Sequence, residues 1–215
     1  MLSKQKNCTY NFIVFEGVCC SGKTTICEIV KEKLSKKGHK VVYNHGAMTN
    51  TNQGRGFKEL IKGKGVCISS LFYFVDLIIN TQNFVKPSIA DPSNIVLQDR
   101  YYDAITTYIG AYGKYCGRDY DIYRISDALL KEDYLVKPSA EVFCIPPFSI
   151  IEDRMAASKA TCVHEYYRQH PSFLGMVYDE IEKKANDCLD SIIIDTSSDM
   201  SIGNGIVKIL AKINS

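Results

Sequence analysis

The sequence predicts a three-layer α/β fold, a five-stranded parallel sheet flanked by helices, with a lid. Three observations predict it. Short apolar runs alternate with longer segments of helical spacing, which is the pattern of a parallel sheet covered on both faces. The first apolar run, Phe12–Phe15, ends in a glycine-containing loop that passes at once into an amphipathic stretch. The chain has 215 residues, 46% of them hydrophobic, and no low-complexity tract, so residues 1–215 are expected to form one domain with a full core.

Taken in order, Phe12–Phe15 reads as a buried strand, and Thr25–Leu34 as a helix with apolar positions at Ile26, Ile29, Val30 and Leu34. Lys36-Lys37-Gly38 ends that helix, and Lys40–Tyr43 is a short second strand. Asn44–Gly56 is rich in Gly, Asn and Thr and reads as a loop, with a short helical turn at Phe57–Ile61. Val66–Val85 predicts one long helix that Pro87 terminates. Ile95–Leu97 is the third strand, followed by helices at Tyr101–Tyr115 and Ile122–Lys131. Glu141–Ile145 is the fourth strand, and Pro146-Pro147 opens a helix to about Ala157. Polar residues Ser158–His170 read as a mobile flap, placing a lid at about 155–170. A helix at Pro171–Leu189, a strand at Ser191–Asp195 and a helix at Ile206–Ile213 complete the chain.

Chemistry enters at the first loop. Gly17-Val18-Cys19-Cys20-Ser21-Gly22-Lys23-Thr24 fits G-x-x-x-x-G-K-[ST], with Thr25 following. Strand, loop and helix are the context this pattern requires. Two glycines let the backbone curl so that successive N–H groups face a polyphosphate, with the positive end of the helix dipole behind them. Lys23 is placed to reach the outer phosphates, and the Thr24 hydroxyl to bind a magnesium ion. A chance match in a surface turn would not explain a strand ending and a helix starting at the right places. Ligands of parallel sheets bind beyond the strands' carboxyl ends, which directs attention to Asn44–Gly56 and Asp99–Tyr102 as well. Asp99-Arg100 could hold a metal's water shell and grip a phosphate, or could be a capping Asp beside a surface Arg.

Composition narrows the class. A net charge of +2 does not suit a dedicated nucleic-acid binder. The polar Met1–Tyr10 and the short apolar run behind it suit neither a signal peptide nor a membrane span. Nine cysteines without zinc-like spacing suggest reduced thiols in a cytoplasmic protein.

The order of motifs resembles the thymidylate kinases, within the nucleoside monophosphate kinases of the phosphate-loop superfamily. Phe15-Glu16-Gly17…Gly22-Lys23-Thr24-Thr25 resembles the family's first motif, and Asp99-Arg100-Tyr101 with Thr107-Tyr108-x-Gly110 its D-R-Y…A-Y-x-G motif. Pro146-Pro147…Arg154 resembles the lead into the lid, and Ile194-Asp195 the last strand. The resemblance implies ATP and magnesium as cofactors and transfer of the γ-phosphoryl group to a nucleoside monophosphate. It implies that Lys23 and Thr24 hold ATP and the metal, that Asp99 positions the metal or a sugar hydroxyl, and that Arg100 holds the acceptor phosphate. Arg154, with Lys159 or Arg168, would close over the transferring group. Gly54 and Lys58 fall where the family contacts the acceptor phosphate. Tyr73 falls where an aromatic stacks on the base, and Tyr108 where one crowds C2′. The expected partners are nucleotide substrates and a second copy of the chain, with no nucleic acid or membrane.

Departures from the family concern the substrate. Cys19 replaces an Asp that meets the 3′-hydroxyl, and Val42-Tyr43-Asn44-His45-Gly46 replaces R-E-P-G-G. Leu77, Ala104 and Ile109 replace polar base-reading residues, so weak discrimination among pyrimidines is expected, with Asp76 or Asp103 as the readers if discrimination proves strong. A nucleoside acceptor would need a carboxylate base, and the second strand offers none. A non-catalytic nucleotide switch is the remaining reading, but the chain lacks the N-K-x-D segment expected of a GTPase and has a basic lid that a switch does not need. Cys19 and Cys20 are small space-fillers or, beside Lys23 and a helix N-terminus, thiols of lowered pKa that ATP would shield.

Overall fold

The computed structural model describes residues 11–46, 52–61, 66–118, 122–159 and 162–214. Five parallel strands run in the order β2-β3-β1-β4-β5: β1 Phe12–Glu16, β2 Lys40–His45, β3 Asn94–Asp99, β4 Ala140–Cys144 and β5 Ile192–Ile194. β1 is central and buried at all five positions, as a strand covered on both faces must be. Its side chains alternate between layers. Ile13 and Phe15 join Ile26, Val30 and Leu34 of helix α1 (Lys23–Lys36) and Ile206, Ile209 and Ile213 of α10 (Asp199–Asn214) on one face. Phe12 and Val14 meet the helices on the opposite face.

Those are α3 (Val66–Asn80), α5 (Tyr102–Tyr115) and α6 (Tyr123–Lys131), while α7 (Phe148–Ala157), α8 (Cys162–Gln169) and α9 (Pro171–Asp187) pack around Phe143. Two further helices, α2 (Asn52–Ile61) and α4 (Lys86–Ala90), flank α3 in the chain. The strand order reverses at β1, and β1 therefore ends at the switch point where such sheets bind ligands.

Five expectations change. Asn44 and His45 are strand rather than loop, and α2 begins at Asn52, well before Phe57. Pro87 does not stop the third helix. The proline has no N–H and its ring crowds the carbonyl four residues back, and the chain widens into a π turn over Thr81–Val85, with the Lys86 N–H donating to the Thr81 carbonyl, before α4 continues through Pro87. The flap is largely α8, a helix whose Tyr167 is buried among Val18, Met155 and Phe173 while Gln169 donates to Glu165 one turn away. The last helix starts at Asp199, not Ile206, because Ser198 and Ser201 close its first turn by a hydroxyl pair at 2.9 Å. Among the described residues no helix is long and apolar enough to cross a membrane.

Candidate active site

The loop after β1 is built by backbone conformations that few side chains tolerate. Gly17 has φ +149°, and a Cβ there would lie 2.5 Å from Ser21 Oγ and 2.7 Å from the Cys144 carbonyl oxygen. Gly22, the N-cap of α1, has φ +87°, and Cys20 sits at +63°. A non-glycine residue held there marks a loop whose shape is imposed by its surroundings. Those surroundings are visible. Thr196 Oγ1 donates to the Ser21 carbonyl at 2.7 Å, and Arg154 of α7 donates to the Cys20 carbonyl at 3.3 Å, to Thr196 Oγ1 at 3.1 Å and to the Thr196 carbonyl at 2.5 Å. Lys23 is 6% exposed and donates to the Val18 carbonyl of its own loop at 2.7 Å. Burial, then the charge of Arg100, lowers its pKa, against the opposing pull of Asp99.

A cleft of about 440 Å³ opens over this loop, lined by Cys20, Gly22, Lys23, Thr24, Arg154 and, from the far side, Thr196 and Ile202. The sequence reading missed Thr196 and Ile202. Thr196 follows β5 and Ile202 lies in the first turn of α10, and the sheet order brings them beside α1.

At the end of β3 the Thr24 hydroxyl donates to Asp99 Oδ2 at 2.7 Å, and His45 Nδ1 lies 3.1 Å from the same oxygen. Burial alone would raise the Asp99 pKa, but the His45 contact, Lys23 and the Thr24 hydroxyl together lower it. Asp99 Oδ1 is buried with no hydrogen-bond partner. One hydroxyl and one carboxylate with a free, desolvated oxygen fit a hard cation that takes its other ligands from phosphates and water. Among the described residues no cluster of three His, Cys, Asp or Glu could hold a metal without such outside ligands.

Arg100 follows at φ +69°, with its N–H on the Phe15 carbonyl at 2.9 Å. Its guanidinium donates to Cys19 Sγ at 3.5 Å and lies 5.4 Å from the centre of the Tyr108 ring, whose hydroxyl is 3.7 Å from the same sulfur. The phosphate loop and Arg100 therefore touch. Tyr73 is half-buried against the α3–α5 core.

Other expected residues fall elsewhere. Leu77 and Ile109 are buried in the core with Phe12 and Val14, and Ala104 is buried at the start of α5, so the three fill the interior. Asp103 pairs with Lys184 of α9 at 3.1 Å, and burial, against Lys184 and with Glu141, raises its pKa to about 7. That carboxylate serves a helix–helix contact, not a base. Arg168 donates to the Met155 and Ser158 carbonyls at 2.7 and 2.9 Å, closing the end of α7 instead of facing the cleft, and Lys159 is exposed. The side chain of Lys58 lies outside the described residues, and Gly54 is buried in α2. Burial and the neighbouring Cys19 push the Cys20 thiol up despite Lys23 and Arg154, which overturns the lowered pKa expected for it. A buried amide chain was also missed. Asn44 donates to Asn80 at 2.7 Å and to Gln98 at 2.6 Å, and Gln98 donates to the Arg100 carbonyl at 2.8 Å. Gln98, directly after the apolar Ile95–Leu97, was its sequence signal.

A glycine loop at a sheet switch point, a buried lysine at its end and an Asp-Arg pair at the end of the neighbouring strand β3 define a phosphate-loop kinase. A sequence model described as thymidylate kinase matches residues 15–196. A thymidylate kinase of Sulfurihydrogenibium sp. (strain YO3AOP1) is 32% identical over 154 residues, covering 69% of this chain and 72% of its own. One from Clavibacter sepedonicus is 28% identical over 186 residues (80% and 83%), and one from Mycoplasma capricolum 26% over 210 residues (93% of each). The chain belongs to the thymidylate kinase family.

Proposed function

We propose that this protein transfers the γ-phosphoryl group of ATP to thymidine monophosphate or a closely related pyrimidine deoxynucleoside monophosphate, giving the diphosphate. The observation that carries the reading is the contact between Arg100 and Cys19, which sets a phosphate-gripping cation against the edge of the phosphate loop. The acceptor oxygen attacks the γ-phosphorus while the bond to the β–γ bridging oxygen breaks, and ADP leaves. An acceptor phosphate is already ionised at neutral pH, so no base is needed. The chain's part is positioning and charge neutralisation. Lys23 would leave the Val18 carbonyl for the donor phosphates, and Arg154 and Thr196 keep the loop in shape. Thr24 and Asp99 would hold magnesium, which neutralises phosphate charge when bound. The reading treats residues 1–215 as one kinase domain with its lid at about 155–170, working in the cytoplasm.

The test is a panel of nucleosides and monophosphates with ATP and magnesium. Thymidine monophosphate is expected to be turned over, and Arg100→Ala to raise its KM at least tenfold while that of ATP stays within about twofold. Faster turnover of free nucleosides would overturn the reading. The reading also includes a homodimer, supported by Ile68, Leu71 and Val75, which are 49, 57 and 44% exposed on one face of α3. Leu71→Glu with Val75→Lys is expected to halve the mass seen by analytical ultracentrifugation. A wild-type monomer at micromolar concentration would exclude the dimer.

A further inference from the structure

Glu16 closes β1, one residue before the phosphate loop, and has no part in the reaction described above. It is 2% exposed. Its Oε1 accepts the N–H of Tyr101 at 2.8 Å and that of Ala104 at 3.4 Å, while Oε2 is buried without a partner. Those two donors have a particular place in α5. Tyr101 is the N-cap, and its own side chain makes no capping bond. In a capping box the N-cap side chain would take the third helical N–H, and the third residue would reach back to the N-cap N–H. Here both donors converge on one oxygen from another strand. The neighbouring Phe15 carbonyl takes the Arg100 N–H at 2.9 Å, so two consecutive residues of β1 grip the turn on both sides of Arg100. That turn needs a grip, because Arg100 sits at φ +69°, a conformation a long side chain adopts only when its surroundings impose it.

We infer that Glu16 is a positioning residue for the acceptor side of the reaction: it caps α5 from β1 and so fixes the Arg100 turn to the strand that carries the phosphate loop. The inference rests on the proposed function for the identity of the acceptor, not for the clamp itself. The groups facing Glu16 are Asp103 and Tyr102 on α5, Arg100 at its turn, Lys23 on α1 and Cys144 on β4. Burial, then Asp103, raises its pKa to about 8, against the Tyr101 N–H, Arg100 and Lys23. At neutral pH the clamp is therefore mostly a neutral acid, with the proton on one oxygen and the two amides on the other. Above pH 8 it becomes a buried anion, which opposes a dianionic phosphate arriving at Arg100. Affinity for the acceptor should fall there, and by linkage a bound acceptor should hold the proton on Glu16.

Calorimetry with thymidine monophosphate and ATP titrated separately tests this, with amide exchange read alongside. Glu16→Ala is expected to weaken thymidine monophosphate binding tenfold or more, leave ATP within twofold, and speed exchange at the Tyr101 and Ala104 amides. Glu16→Gln, which keeps the accepting oxygen and cannot ionise, should restore acceptor affinity at pH 7 and hold it to pH 9, while the wild type loses affinity above pH 8. If the alanine variant does not fold, Glu16→Asp, one methylene short of both amides, is expected to show the same split. Equal weakening of both nucleotides would mean a merely structural role and overturn the inference. Unchanged exchange at the two amides, or an alkaline loss that persists in Glu16→Gln, would overturn it as well. Turnover of thymidine monophosphate by the wild type is the separate check on the function. Amide exchange reads the clamp even if another nucleotide is the acceptor.

Discussion

Lys23→Ala is expected to lower kcat by about three orders of magnitude, the scale of removing a preorganised contact to transition-state charge, about 4 kcal/mol. The charge that develops on the transferring group needs a donor held in a desolvated site, and Lys23 is 6% exposed and donates at 2.7 Å to the Val18 carbonyl of the same loop. The alanine variant loses that donor and keeps the loop, because Thr196 and Arg154 hold the Ser21 and Cys20 carbonyls independently. Single-turnover kinetics at saturating nucleotide, with circular dichroism of the same sample, decide the matter. A variant that folds and retains more than a tenth of the wild-type rate would remove the phosphate loop from the chemistry.

The second large effect is expected at Asp99. Asp99→Asn keeps the shape of the side chain and removes its charge, and turnover should fall by roughly two to three orders of magnitude. The magnesium concentration for half-maximal rate should rise as well, since a neutral amide is a weaker ligand for a hard cation. Two features separate this from loss of fold. Thr24 can still donate to the amide oxygen, and β3 is held by backbone pairing to β1 and β2, in which Asp99 lies opposite Phe15 and His45. Titration with manganese, followed by its effect on water relaxation, reads the metal without turnover. Unaltered manganese binding in the variant would show that the cation is held elsewhere.

Much of this was legible in the sequence, and the reason is local. The strand, loop and helix around Gly17–Thr24 are contiguous, each fixed by near neighbours: an apolar run, two glycines and a helical stripe. The parallel sheet was legible because alternation of strand and helix leaves few other solutions. What escaped was set by distant packing. Pro87 was read as a stop because only the π turn at Thr81–Val85 allows the helix to pass it. The flap was read as mobile because its polar residues hide one buried face, centred on Tyr167. Leu77 and Ile109 were assigned to a pocket by position in a motif, whereas the direction of a helical side chain is decided by what the helix packs on. Glu16 was visible as part of a motif, but its contact with α5 was not, for the opposite reason. It ends an apolar strand, and a carboxylate there has meaning only once the amides of Tyr101 and Ala104 are known to face it.

The lysine in the phosphate loop has one more consequence. Its ammonium is buried and held by a neutral carbonyl, with Arg100 adding repulsion, and its pKa is lowered by burial first and by Arg100 second. A group whose charged form is disfavoured by folding destabilises the fold at every pH below its unfolded value of 10.5. The protein thus carries local frustration at the point where a polyphosphate would relieve it. Thermal stability and nucleotide affinity are opposed at this one side chain, so a neutral residue of similar length there would make a firmer protein and a useless kinase.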